Sequence, residues 1–212
     1  GAVPGPRGGL VTIFETVKNK KFRTEVQKIA IRKDKMGNII KAAVKPENHR
    51  YPKATDDVSK RFRRAIAQWY DQRFGVKLDP DTEVLPLIGS KEGISHLALA
   101  FLNNDDIGMV TSPTYPVHAN GIIMAGGILY NIPIDPENNF RPDFQALPKE
   151  VVRMAKLLIV SYPHNPTAAC VDLDFYNELV AWGKGKETLL CSDLAYSDIV
   201  FDGYKAPSLL QA

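Results

Sequence analysis

Between residues 84 and 193 the chain alternates short apolar runs with segments of helical spacing, and this alternation restricts the fold more than any other feature. The runs are VLPLI (Val84 to Ile88), GMVTS (Gly108 to Ser112), ILYNIP (Ile128 to Pro133), KLLIVS (Lys156 to Ser161) and TLLCSD (Thr188 to Asp193). Each is too short for a buried helix, and most lack the strict apolar and polar alternation of a strand with one wet face. Runs of this kind are buried on both faces, so helices must cover both sides of the sheet. The expectation is an α/β fold, a three-layer αβα arrangement around a mostly parallel sheet. Ligands of such sheets bind beyond the carboxyl ends of the strands, so the residues after each run matter most.

The intervening helices are marked by period and punctuation. SKRFRRAIAQWYDQRFG sets Phe62, Ile66, Trp69, Tyr70 and Phe74 at helical spacing, with Gly75 as a stop. Further helices are expected at KEGISHLALAFLN, from about Pro116 to Ala125, around Asp143 to Met154, and at LDFYNELVAWGKG, where Phe175, Leu179 and Trp182 share one side. Turns fall at Asn103 to Asp106 and Gly126-Gly127, and a loop rich in Pro and Asn runs from Ile134 to Pro142. Residues 1–45 make a poorly defined segment. There GAVPGPRGG reads as a flexible leader, KDKMGN as a polar turn, and helices are expected before that turn and over Ile39 to Ala43. Residues 46–212 are read as one partial large domain.

Composition removes several classes of function. With 44% hydrophobic and 24% charged residues among 212, the chain can bury a sizeable core, which argues against disorder. Its net charge of +3 is mild, and the densest basic cluster, KNKKFR at Lys18 to Arg23, has no aromatic platform beside it. A solvated face explains that cluster better than nucleic acid does. No run reaches the roughly 18 apolar residues of a membrane helix. Cys170 and Cys191 lack the spacing of a metal site or a disulfide framework, so reduced thiols in a cytoplasmic protein are expected, with no metal. Neither a GxGxxG nor a P-loop pattern occurs, which weakens a generic nucleotide-binding reading.

Four segments follow or close the runs: GSKEG, SPTYP, HNPT and SDLAY. Ser90 and Lys91 open a helix, where free N–H groups and a lysine suit a phosphate; an ordinary N-cap by Ser90 explains the same residues. Tyr115, between prolines, offers a flat ring for stacking, or is a half-buried packing residue. Asn165, between His164 and Pro166, can aim its amide at an oxygen, or serve the turn alone. Asp193 closes an apolar run, so its carboxylate is costly to bury unless it meets a cation or donor, and a structural cap is the plain alternative. Taken together with Tyr196, these groups describe a pocket for pyridoxal 5′-phosphate. That cofactor needs an anion hole, a ring partner, donors to its phenolic oxygen and a carboxylate at its pyridine nitrogen.

The same residues carry a resemblance. NHRYP, FRRAIAQWYDQRFGVKLDPDTEVLPLIGSKEGISHLALAF, SPTYPV, SYPHNPT and SDLAYSDIVFDGYKAPSLLQ resemble the class I/II aminotransferases of the type I pyridoxal phosphate fold, and most of all the LL-diaminopimelate aminotransferase group. The likeness runs from near Ile39 to the C-terminus. It implies an enzyme of amino acid biosynthesis, homodimeric with sites at the subunit interface, moving an amino group between an amino acid and a 2-oxo acid. By resemblance Ser90 and Lys91 hold the phosphate, Tyr115 stacks on the ring, Asn165 and Tyr196 contact O3′, Asp193 meets the pyridine nitrogen, and Tyr51 reaches the partner subunit's phosphate.

Some family features are altered or lie elsewhere. The usual NPTG reads NPTA, with Ala168 removing backbone freedom at one turn. IAIRKDKMGN (Ile29 to Asn38) stands where the family has a Gly-rich loop that closes over substrate. The cofactor-anchoring lysine belongs to a Ser-x-Ser-Lys segment past the equivalent of SLLQA, so no catalytic residue is assigned within these 212 residues. The sequence is therefore expected to be the N-terminal portion of an aminotransferase, inactive alone; the alternative is a non-catalytic remnant or interaction module that keeps the sheet.

Overall fold

The computed structural model describes residues 57–87 and 90–212. In chain order these form α1 (Asp57–Phe74), α2 (Ser90–Phe101), β1 (Ile107–Ser112), α3 (Pro116–Met124), β2 (Ile128–Pro133), α4 (Lys149–Met154), β3 (Ala155–Ser161), α5 (Leu173–Gly183) and β4 (Leu189–Asp193), with short 3-10 turns at Pro136–Asn138 and Leu209–Gln211. The strands lie in the order β2-β1-β3-β4, and each adjacent pair is parallel. From β1 the chain steps outward to β2, crosses back to β3 and steps outward on the other side to β4. The order therefore reverses between β1 and β3, and in sheets of this kind the ligand crevice lies outside the carboxyl ends of the strands at that point.

Two apolar layers flank the sheet, as runs buried on both faces require. On one side Met109, Leu158 and Val160 pack with Phe175, Tyr176, Leu179 and Trp182 of α5. On the other, Val110, Leu157 and Ile159 pack with Ile94 and Ala98 of α2 and Ile122 of α3. Alternate residues of β1 and β3 point to opposite layers, the period of a strand. Each fully buried side chain of this size stabilises the fold by about 1.5–3 kcal/mol relative to exposure. The α3 layer comes closest at Gly108, where an added Cβ would stand 2.6, 2.7 and 2.9 Å from three side-chain carbons of Ile122.

The α1 helix ends as its sequence indicates, at Gly75 with φ +69°, whose N–H donates to the Asp71 carbonyl at 2.9 Å. Its buried Arg63 reaches Ser59 within the helix, the Pro80 carbonyl and Asp81 at 3.0, 2.7 and 2.9 Å, tying α1 to the turn that follows it. Farther along, Trp69, Tyr70 and Phe74 pack with Leu194, Ala206 and Tyr204, beyond the end of β4. This third cluster braces the segment that carries Tyr196.

Several expectations are corrected. Val84 to Leu87 form no strand, and Ile88 lies outside the described residues. No strand of the sheet runs beside them to take up their backbone N–H and C=O groups, and apolar character alone does not make a strand. The helix expected around Asp143 to Met154 is confined to Lys149–Met154. Asp143 accepts the backbone N–H groups of Gln145 and Ala146 at 2.9 and 3.2 Å, an Asx-type turn that competes with helix, and Pro148 then marks the start. The readings made for residues 1–45, and for Tyr51, fall outside the described residues. Among the described residues no helix is long and apolar enough to cross a membrane, and no group of three or more His, Cys, Asp or Glu could hold a metal.

Candidate functional site

Asp193 is the last residue of β4, and the register sets it beside Ser161, the last residue of β3. One oxygen of its carboxylate, Oδ2, lies 3.0 Å from Nε2 of His118, and the two side chains are 8% and 1% exposed. The need for a cation or donor at this buried carboxylate is thus met, by a residue that sequence reasoning did not single out. His118 stands in the first turn of α3, a helix that begins at Pro116 with Tyr115 as its N-cap residue. Its other nitrogen, Nδ1, pairs with Thr114 Oγ1 at 3.0 Å, so both ring nitrogens are engaged. The one available signal was a lone polar ring near the start of an apolar helix, three residues past Tyr115.

Tyr115 stands edge-on to His118, with ring centroids 5.7 Å apart. Lys91, exposed on the first turn of α2, places Nζ 5.7 Å from the Tyr115 ring centroid. Ser90 opens α2, and Gly89, the other half of the expected anion cradle, is outside the described residues. Across the crevice, Asn165 Nδ2 donates to the Tyr196 hydroxyl oxygen at 3.3 Å. This leaves the phenol O–H free to donate in turn. The structure therefore joins Asp193, His118, Tyr115 and Lys91 in one chain of contacts and pairs Asn165 with Tyr196.

The turn that holds Asn165 is tightly laced. His164 N–H donates to the Ala169 carbonyl at 2.8 Å, and Ala168 N–H donates back to the His164 carbonyl at 2.7 Å. Ala168 adopts φ +60°, the left-handed region that favours glycine. Both peptide bonds preceding the prolines, Tyr162-Pro163 and Asn165-Pro166, are cis, as is Ser112-Pro113 at the end of β1.

Burial shapes the ionisation of groups around the site. Cys191, in the middle of β4, is pushed up to about 12, first by desolvation and then by the Asp193 charge. Tyr176, whose hydroxyl meets Ser192 Oγ at 3.1 Å, is likewise raised to about 12 by burial. Cys170 and Cys191 are not joined in a disulfide. An open cavity of about 1200 Å³ lies elsewhere, lined by Phe144, Leu147, Val152, Trp182 and Lys186 near the starts of β3 and β4. It shares no residue with the strand-end cluster, and the topology favours the strand ends.

A parallel sheet with an imidazole-bound carboxylate, aromatic rings and an amide at its carboxyl edge is an arrangement at which α/β proteins commonly bind small molecules. More specifically, the aminotransferase class I and II family profile matches residues 20–211, and the chain belongs to that family, whose members depend on pyridoxal phosphate. An LL-diaminopimelate aminotransferase from Moorella thermoacetica is 47% identical over 174 residues, 82% of this chain and 44% of that protein. One from Dehalococcoides mccartyi is 48% identical over 177 residues, 84% and 45% of the two chains. Among solved structures, substrate-bound BacF from Bacillus subtilis matches with a TM-score of 0.71 at 35% identity, over 81% of this chain and 43% of that one. A probable N-succinyldiaminopimelate aminotransferase from Thermus thermophilus matches with a TM-score of 0.71 at 28% identity, over 96% and 56%. The chain thus spans about half the length of the curated relatives it matches.

Proposed function

We propose that this chain is the cofactor-binding N-terminal portion of a pyridoxal phosphate-dependent aminotransferase that moves an amino group between an amino acid and a 2-oxo acid. The observation that carries the reading is the Asp193 carboxylate, buried at the end of β4 and held through one oxygen by His118. That bond orients the carboxylate and leaves the other oxygen for a ring N–H from outside. A carboxylate so placed keeps a pyridine nitrogen protonated, because an adjacent negative charge favours the charged form. Pyridoxal phosphate, when bound, supplies an electron sink for negative charge at the substrate's α-carbon.

The remaining residues fit the same group. Tyr115 offers a ring face beside His118, while the Tyr196 hydroxyl, already accepting from Asn165, has its proton free for a phenolic oxygen. Ser90 and Lys91 bring the start of α2 and an ammonium toward a phosphate. The intact protein is a cytoplasmic homodimer in this reading, with Tyr51 contributing to the neighbouring subunit's phosphate site, and LL-diaminopimelate heads the amino donors to be tried because the relatives carry that name.

A titration of the full-length protein with pyridoxal phosphate, followed by absorbance and then by half-reaction with amino donors, tests this. Saturable uptake and conversion by a donor support it; a full-length protein that takes up no cofactor would instead be the non-catalytic alternative. Asp193→Ala is expected to weaken uptake and to lower the protonation of the bound ring. Uptake and spectrum identical to the parent would remove the role given to Asp193.

A further inference from the structure

Tyr196 and Asn165 sit on separate segments, one running on from β4 and the other joining β3 to α5, and the bond between them is weak. At 3.3 Å it lies beyond the range of about 2.7–3.2 Å usual for N–H···O bonds, a loose restraint on the phenol. A second bond joins the same two segments and is short. The Tyr204 hydroxyl, eight residues past Tyr196, donates at 2.6 Å to the carbonyl of Val171, six residues past Asn165.

Both ends of that bond are anchored. Val171 is 2% exposed, in the core layer with Tyr162 and Phe175, and Asp172 after it caps α5 by accepting the Phe175 N–H at 3.0 Å. The laced turn from His164 to Ala169 connects this start of α5 back to Asn165. On the other side, Tyr204 packs against the cluster of Phe74, Leu194 and Ala206. Its segment is tied to α1 by Gln211 Nε2 on the Phe74 carbonyl at 3.1 Å and by Arg73 with Asp198 at 3.6 Å. The Tyr204 hydroxyl therefore couples the placement of the Tyr196 segment to the buried start of α5.

We propose that Tyr204 is a positioning residue, whose bond to the Val171 carbonyl sets the Tyr196 hydroxyl against the Asn165 amide so that both donate to one ligand oxygen. Asn165 keeps a second N–H and Tyr196 its O–H, so the pair has a donor from each side chain to offer. Two donors that share an acceptor tolerate little displacement, because hydrogen bonds weaken steeply as their geometry departs from ideal. For the ligand this rests on the cofactor reading above, in which that oxygen is the phenolic oxygen of pyridoxal phosphate; for the pairing it rests on the hydrogen bonds alone. Without the Tyr204 hydroxyl the ring packing remains, and what is lost is the spacing of phenol and amide.

The experiment measures pyridoxal phosphate uptake by the full-length protein for the parent, Tyr204→Phe, Tyr196→Phe and the double variant, and follows the Asn165 side-chain amide by nitrogen NMR without cofactor. Tyr204→Phe removes one oxygen and is expected to weaken binding about two- to tenfold, the worth of one net hydrogen bond. Added to Tyr196→Phe it should cost no further affinity, since no hydroxyl remains to be positioned, whereas its effect on the cofactor-free melting temperature should be the same in both backgrounds. The Asn165 amide signal of cofactor-free Tyr204→Phe should move toward that of Tyr196→Phe. A parent that takes up no cofactor defeats the cofactor reading and the ligand assigned to the pair, and the amide signal then still decides the pairing. Parent-like affinity in Tyr204→Phe, an equal affinity loss from Tyr204→Phe in both backgrounds, or an Asn165 signal left at its parent position would each overturn the role of Tyr204.

Discussion

His118 and Asp193, 75 residues apart in sequence, meet at 3.0 Å with both side chains withdrawn from solvent. Removing one member leaves the other buried and short of a partner, which costs more than the net worth of the bond. His118→Phe should therefore lower unfolding free energy by about 1–3 kcal/mol and weaken cofactor uptake, measured by urea denaturation and by titration. A variant as stable as the parent would mean that Asp193 is satisfied without the imidazole.

Ala168 holds φ +60° in the turn after Asn165. A left-handed alanine carries about 1–2 kcal/mol of strain, part of which glycine would return through its greater freedom in the unfolded chain. Ala168→Gly is accordingly expected to stabilise the protein by about 0.5–1 kcal/mol in denaturant melts. A loss of stability would show that the turn gains more from the methyl group than its backbone costs.

Gly108 gives the opposite case, since its replacement meets Ile122, which is 0% exposed. Gly108→Ala should destabilise by about 1–3 kcal/mol through overpacking. Trimming the obstruction with Ile122→Val should recover part of that loss, so a double-mutant cycle should show coupling between the two positions.

Stability should also depend on pH at both ends. Cys191, ordinarily near 9.0, and Tyr176 and Tyr204, ordinarily near 10.0, are each raised to about 12 by burial. The unfolded chain loses these protons first, so stability present below pH 9 should fall as pH rises from about 9 toward 12. At the acid end, the depressed His164 pKa means the unfolded state binds its proton more readily, and stability should fall as pH drops below 6.5. Denaturation midpoints across pH check both limbs. In the same conditions Cys170, which is exposed, should take up an alkylating agent at pH 8 while Cys191 stays protected until unfolding.

Much of the fold was legible because period and punctuation are local properties. The apolar runs at 108–112, 128–133, 156–161 and 188–193 became parallel strands within a residue or so of their expected bounds, and Gly75 ended α1 as the stop expected of it, in a left-handed conformation. VLPLI misled because a strand is defined by its neighbours, and none in the sheet lies beside Val84 to Leu87. The helix before β3 was read too long because the Asp143 side chain takes the backbone donors that a helix would have used.

What the sequence determined by itself is a sheet wet on neither face and a set of polar and aromatic groups at its strand ends: Ser90, Lys91, Tyr115, Asn165, Asp193 and Tyr196. Tertiary structure decided which of these meet. The reversal of strand order between β1 and β3 sets where the ligand crevice of such a sheet lies, and the β3–β4 register sets Asp193 at the same level as the end of β3. The packing of α3 through Gly108 delivers His118 to that carboxylate. Such pairings depend on distances across 75 residues of chain, which no local pattern encodes, and their strength comes from the burial that only the assembled layers provide.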